Sequence, residues 1–79
     1  MPEGELIWII GASEGIGAAL ARHYAAAGAR LVLSARSEDK LSAVLAELDG
    51  KHIAVPLDVS DRASVEAAAR TIAPLGPLA

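Results

Sequence analysis

Three glycines within seven residues give this chain its clearest chemical signal. Gly11, Gly15 and Gly17 are spaced G-x-x-x-G-x-G, directly after the apolar run Leu6-Ile7-Trp8-Ile9-Ile10. Each glycine has a physical task at a phosphate. Gly11 permits the tight turn, Gly15 removes a side chain where a ligand phosphate must approach the backbone, and Gly17 allows close helix–sheet packing. Amide N–H groups at the start of the following helix favour an anion. The alternative is a strand-to-helix turn whose glycines serve packing alone. The loop is not of the Walker type, because no Gly-Lys-Ser/Thr follows.

Few other residues offer chemistry. The chain has no cysteine, so it holds neither a disulfide framework nor a cysteine-based zinc site. His23 and His52 have no carboxylate, cysteine or third histidine at ligand spacing. Both are expected to be structural or solvated, and no metal site is expected. Tyr24 and Trp8 are expected to pack between helix and sheet.

These residues must be positioned by a small body. The chain has 79 residues, 53% of them hydrophobic, with a formal charge of −3 and 7 Lys+Arg. That length leaves no room for two domains, so residues 1–79 are read as part of one domain. A net acidic chain offers no basic patch for nucleic acid or anionic lipid. Charges interrupt every long apolar run, and no stretch of about 18 apolar residues spans a membrane. Met1-Pro2-Glu3-Gly4-Glu5 is acidic where a signal peptide is basic. The expected location is the cytoplasm. The chain also has no Asn and no Gln. A body this small buries only roughly 60% of its unfolded surface, yet its residues are as apolar as the middle of a larger protein.

The apolar pattern gives an alternation of strands and helices. Leu6–Ile10 lacks alternation and predicts a strand buried on both faces. A helix follows from about Gly15 to Ala27, with Ile16, Leu20 and Tyr24 along one line, and Gly28 ends it. Arg30–Ser34 is a second strand. Ser37 is an N-cap for a second helix carrying Glu38 and Asp39 in its first turn and Leu41, Val44, Leu45 and Leu48 at helical spacing. Asp49-Gly50 closes that helix. His52–Leu57 reads as a third strand with Pro56 near its end. Ser60 is expected to cap a third helix, from about Asp61 to Ile72, with Val65, Ala68, Ala69 and Ile72 inward. The order βαβαβα implies an α/β fold with a parallel sheet and strand order 3-2-1, one mononucleotide-binding half of a doubly wound fold.

At the glycine loop the sequence resembles the short-chain dehydrogenase/reductase family. That family's loop reads T-G-x-x-x-G-I-G, and here it stands as Ile10-Gly11-Ala12-Ser13-Glu14-Gly15-Ile16-Gly17. Ile10 replaces the usual Thr, which weakens a local backbone hydrogen bond. The resemblance continues through Leu31-Val32-Leu33-Ser34-Ala35-Arg36-Ser37 and Leu57-Asp58-Val59-Ser60-Asp61, nearly the whole chain from Leu6 on. It implies a Rossmann-type sheet, a nicotinamide dinucleotide and hydride transfer to or from a carbonyl or alcohol.

The resemblance also implies site residues. Gly11, Gly15, Ile16 and Gly17 form the pyrophosphate loop. Ser13 bonds a ribose or phosphate, or else caps the helix. Ala35 stands where NAD-preferring members carry Asp, and Arg36 follows it. A neutral residue followed by Arg suits NADP, because a guanidinium meets the 2′-phosphate as a fork; Ser37 adds a hydroxyl donor. The alternative for Arg36 is pairing with Glu38 or Asp39. Glu14 opposes NADP, since many NADP-using relatives carry Arg or Lys there. Asp58 and Val59 are expected to contact the adenine; the alternative for Asp58 is capping the following turn.

The family's catalytic groups are a Ser and a Tyr with a Lys four residues later. Tyr24 is followed by Gly28 at that spacing, and Lys40 and Lys51 have no tyrosine partner. No catalytic residue is assigned in this chain. The segment Ile72–Ala79 is read as the approach to a fourth strand. Without that strand, Leu6–Ile10 would be an edge prone to aggregation. The expectation is therefore the N-terminal, NADP(H)-binding portion of a longer oxidoreductase that is a homo-oligomer acting on a small carbonyl or alcohol. A non-catalytic dinucleotide-binding or self-associating module is the other reading.

Overall fold

The computed structural model describes residues 4–48 and 52–78. Strands β1 (Leu6–Ile10), β2 (Arg30–Ser34) and β3 (Ile53–Ala54) alternate with helices α1 (Gly15–Ala26), α2 (Glu38–Glu47) and α3 (Arg62–Ile72). All strand pairs are parallel, and β2 lies between β1 and β3. The spatial order 3-2-1 is the predicted one.

Leu6 pairs with Arg30 and Ile10 with Ser34. With this register the strand residues alternate between two cores. Ile9, Leu31 and Leu33 pack with Ala18 and Ala21 of α1 and with Leu41 and Val44 of α2. Leu6 and Val32 pack with Ile72 of α3, flanked by Trp8 and Val55. The lack of alternation in Leu6–Ile10 and Arg30–Ser34 thus reflects helices on both faces. Trp8 and Tyr24 are half-buried against these cores, as expected.

Three local expectations need correction, and the inner face of α1 becomes specific. Of the line Ile16-Leu20-Tyr24, only Tyr24 packs on the core. Ile16 is 80% exposed and Leu20 41%, while Ala18 and Ala21 are buried. Alanines let the helix lie close to the sheet, so the smallest residues define the inner face. The third strand is shorter than His52–Leu57. Its ladder is regular only at Ile53–Ala54, although the N–H groups of Val55 and Leu57 still reach the carbonyls of Leu33 and Ala35. Those alternate N–H groups face β2, so the missing N–H of Pro56 falls on the outer edge, where nothing needs it. Asp61, not Ser60, caps α3, its side chain accepting from the Ala63 N–H. Within α3, Ala68 and Ile72 are buried, but Val65 is only half-buried and Ala69 is exposed.

Other boundaries hold. Gly28, at φ 93°, follows the end of α1, and Ser37 caps α2 by accepting from the Lys40 N–H. The expected helix end at Asp49-Gly50 lies outside the described residues, as do Met1–Glu3, Lys51 and Ala79. After α3 comes a single 3₁₀ turn, Ala73–Leu75. Leu78 then forms a parallel bridge with Leu6. The segment after α3 therefore arrives on the outer edge of β1.

Candidate functional site

A parallel sheet flanked by helices opens its ligand crevice at the C-terminal ends of the strands. Here a cleft of about 590 Å³ lies at those ends. Ile10, Gly11, Ser13 and Glu14 form one wall. Ala35, Arg36, Ser37 and Lys40 form a second, and Leu57 and Val59 complete it.

The glycine loop is fixed to β2 by backbone bonds. The N–H groups of Gly11 and Ala12 both donate to the Ser34 carbonyl, at 2.7 and 3.1 Å. Ser34 is fully buried, and its hydroxyl accepts the indole N–H of Trp8 at 2.9 Å. Gly11 and Gly15 have φ of 81° and 62°, and a side chain at either would meet open space. Conformation, not crowding, requires glycine there. Gly17 is the crowded one, packed on the Gly11 carbonyl.

The N-cap position of α1 is Glu14, and no side chain caps the helix. The leading N–H groups of α1 are therefore not taken up by a side chain, and Ser13 does not serve as the cap. That leaves an anion-favouring helix start beside the cleft.

Arg36 is exposed at the end of β2. It forms no ion pair with Glu38 or Asp39 among the described residues, so the alternative pairing is not the one adopted. Asp58 holds its own turn: Oδ1 accepts the Ser60 hydroxyl at 2.6 Å and the Ser60 N–H at 3.0 Å. Its own N–H donates to the Ser64 hydroxyl. The Ser60 hydroxyl, then the Ser60 N–H, lower the Asp58 pKa against a small desolvation that raises it, and the Arg36 charge lowers it further. The folded-state pKa is thus below the unfolded one. The stabilisation is complete above the unfolded pKa and is lost as pH falls through the folded value. An NMR titration is expected to place the Asp58 midpoint below the ordinary aspartate range, and Ser60→Ala to raise it. An unshifted midpoint in the parent chain would contradict the turn geometry.

Of the residues expected to contact a cofactor, Gly11, Ser13, Arg36 and Val59 line the cleft. Gly15, Ile16, Gly17 and Asp58 are not among its walls. Lys40 is a lining residue that the sequence reading did not assign. Its ammonium lies 3.5 Å from Glu14 Oε2 across the cleft. The Ser37 cap carried the signal, because it places residue 40 in the first helical turn, beside the end of β2. His52 is structural, its Nδ1 accepting the Leu31 N–H at 3.1 Å. No group of three or more His, Cys, Asp and Glu among the described residues could hold a metal ion. No helix among them is long and apolar enough to cross a membrane.

Comparison with known proteins agrees with this geometry. D-threitol dehydrogenase of Mycolicibacterium smegmatis is 42% identical over 74 residues, covering 90% of this chain and 28% of that protein. A metagenomic short-chain oxidoreductase solved in complex with NADP superposes with a TM-score of 0.88 at 36% identity, covering 94% of this chain and 35% of that one. The 3-ketoacyl-(acyl-carrier-protein) reductase of Brucella melitensis, complexed with NADH, gives a TM-score of 0.90 at 30% identity, with 99% and 32% covered. The chain thus spans about a third or less of the length of these relatives. The short chain dehydrogenase family model matches residues 5–78, and the chain belongs to that family.

Proposed function

We propose that this chain is the NADP(H)-binding part of an oxidoreductase that transfers hydride between the nicotinamide and a carbonyl or alcohol substrate. A nicotinamide dinucleotide is supported by family membership and by neighbours solved with NADP and with NADH. The single observation behind the choice of NADP is the pair Ala35-Arg36 at the end of β2. The guanidinium there is exposed on the cleft, and Ala35 puts no carboxylate beside it.

The residues fit the cofactor. The open space at Gly11 and Gly15 and the uncapped start of α1 suit a pyrophosphate. In this reading Gly11, Ser13, Gly15, Ile16 and Gly17 hold the pyrophosphate and its ribose. Arg36 takes the 2′-phosphate, and Asp58 and Val59 meet the adenine. Asp58 then has two duties, since Oδ1 holds Ser60 and Oδ2 has no hydrogen-bond partner among the described residues. When bound, the nicotinamide supplies or accepts the hydride. In this reading no proton-transfer group is assigned among these 79 residues, because the sequence has no Tyr-x-x-x-Lys.

The test is Arg36→Ala with equilibrium titration of both cofactors. The expected loss is roughly tenfold for NADP, about 1.4 kcal/mol for a charge-assisted contact at an exposed position. NAD binding is expected to stay unchanged. Equal losses for both cofactors would overturn the 2′-phosphate assignment.

A further inference from the structure

We propose that Lys40 is a second specificity residue for the 2′-phosphate and that Glu14 competes with that phosphate for it. The inference rests on the NADP reading above and adds to it a residue and a mechanism.

Three observations converge. Lys40 and Arg36 both line the cleft at the end of β2, so two cations face the same space. The Lys40 backbone is pinned there, because its N–H donates to the Ser37 hydroxyl at 3.3 Å. Its side chain reaches across to Glu14, 3.5 Å away. That pair is weak: the side chains are 58% and 74% exposed, and ion pairs in water contribute little.

The charges decide the direction of exchange. A phosphate monoester carries about −1.5 to −2 at neutral pH, whereas Glu14 offers a single negative charge. Lys40 therefore leaves Glu14 for the phosphate. Arg36 supplies a planar fork and Lys40 a mobile point charge, two complementary ways of holding one phosphate. Glu14 acts in two ways against the phosphate, by occupying Lys40 and by repelling the incoming anion. An acid in this loop thus lowers NADP affinity without removing the preference. The competing role is a strap, in which the Glu14–Lys40 pair holds the glycine loop against α2 for either cofactor.

The experiment is a double-mutant cycle on the whole protein carrying this chain, with NADP and NAD titrated by calorimetry at low ionic strength. Lys40→Gln is expected to lose about fivefold in NADP affinity and Glu14→Gln to gain about threefold, both with NAD unchanged. Competition has a distinct signature. Removing Lys40 costs more in the Glu14→Gln background, about tenfold, because there the ammonium has no rival partner.

A strap gives the opposite pattern: Glu14→Gln weakens binding, and Lys40→Gln then adds nothing. That result, or equal losses for NADP and NAD, overturns the proposal. Arg36→Ala separates the two levels. If it lowers NADP affinity selectively while Lys40→Gln does not, the cofactor reading stands and the Lys40 proposal falls. If neither changes the NADP/NAD ratio, both fall.

Discussion

Gly17→Ala is expected to lower the thermal midpoint by more than 10 °C, although alanine is the better helix former. At an ordinary helix position the exchange favours alanine by about 0.5–1 kcal/mol. Here a Cβ would overlap the Gly11 carbonyl oxygen, with the carbonyl carbon at 2.7 Å and Ala12 Cα at 3.1 Å. All three atoms are backbone, and they cannot move freely, because Gly11 and Ala12 are tied to the Ser34 carbonyl. Relief requires α1 to back away from the end of β1, which loosens Ala18 and Ala21 from the core. Overpacking of this kind costs about 3 kcal/mol, and each kcal/mol is worth roughly 4–8 °C in a body of this size. Circular dichroism melts of Gly17→Ala and Gly15→Ala make the comparison. Gly15 has φ of 62° but open space around it, so its variant carries only backbone strain of about 1–2 kcal/mol. If Gly15→Ala proves the more damaging of the two, the close-approach account of Gly17 fails.

Leu33→Ala is expected to cost about 2–5 kcal/mol, the range for emptying a buried leucine site. Leu33 is fully buried in the middle strand, in the core shared with α1 and α2. Leu33 also precedes Ser34, whose carbonyl carries the glycine loop. Weakening β2 is therefore expected to loosen the glycine loop as well. Urea denaturation checks the magnitude, and Ile53→Ala is the reference. Ile53 is 40% exposed on the edge strand, and its truncation is expected to cost less than about 1 kcal/mol. Similar midpoints for the two variants would show that β2 is not the structural centre.

The parts of this fold that could be read from the sequence are those fixed by local chemistry. Leu6–Ile10 and Arg30–Ser34 are apolar without alternation, and each becomes a strand covered on both faces. Ser37 has the side chain to cap a helix and caps one. Gly28 takes the positive φ that other residues avoid. Errors arose where two local choices were close in energy. Ser60 and Asp61 both cap well; Asp58 captured the Ser60 hydroxyl, and Asp61 took α3. Residues His52–Leu57 have strand character, but the partner ladder and Pro56 decided how many of them pair regularly.

The glycine spacing, the neutral residue before Arg36 and the lack of a Tyr-x-x-x-Lys pair are properties of the sequence by itself. They determine the family resemblance and the glycine-bearing turn between β1 and α1. Tertiary structure alone decided which apolar residues of α1 face the sheet, because helical spacing marks a line but not what lies opposite it. It also decided that Lys40 and Glu14, 26 positions apart, meet across one cleft. A pairing at that separation follows from the parallel register of β1 and β2, which sets the glycine loop beside the start of α2. No local propensity encodes that distance.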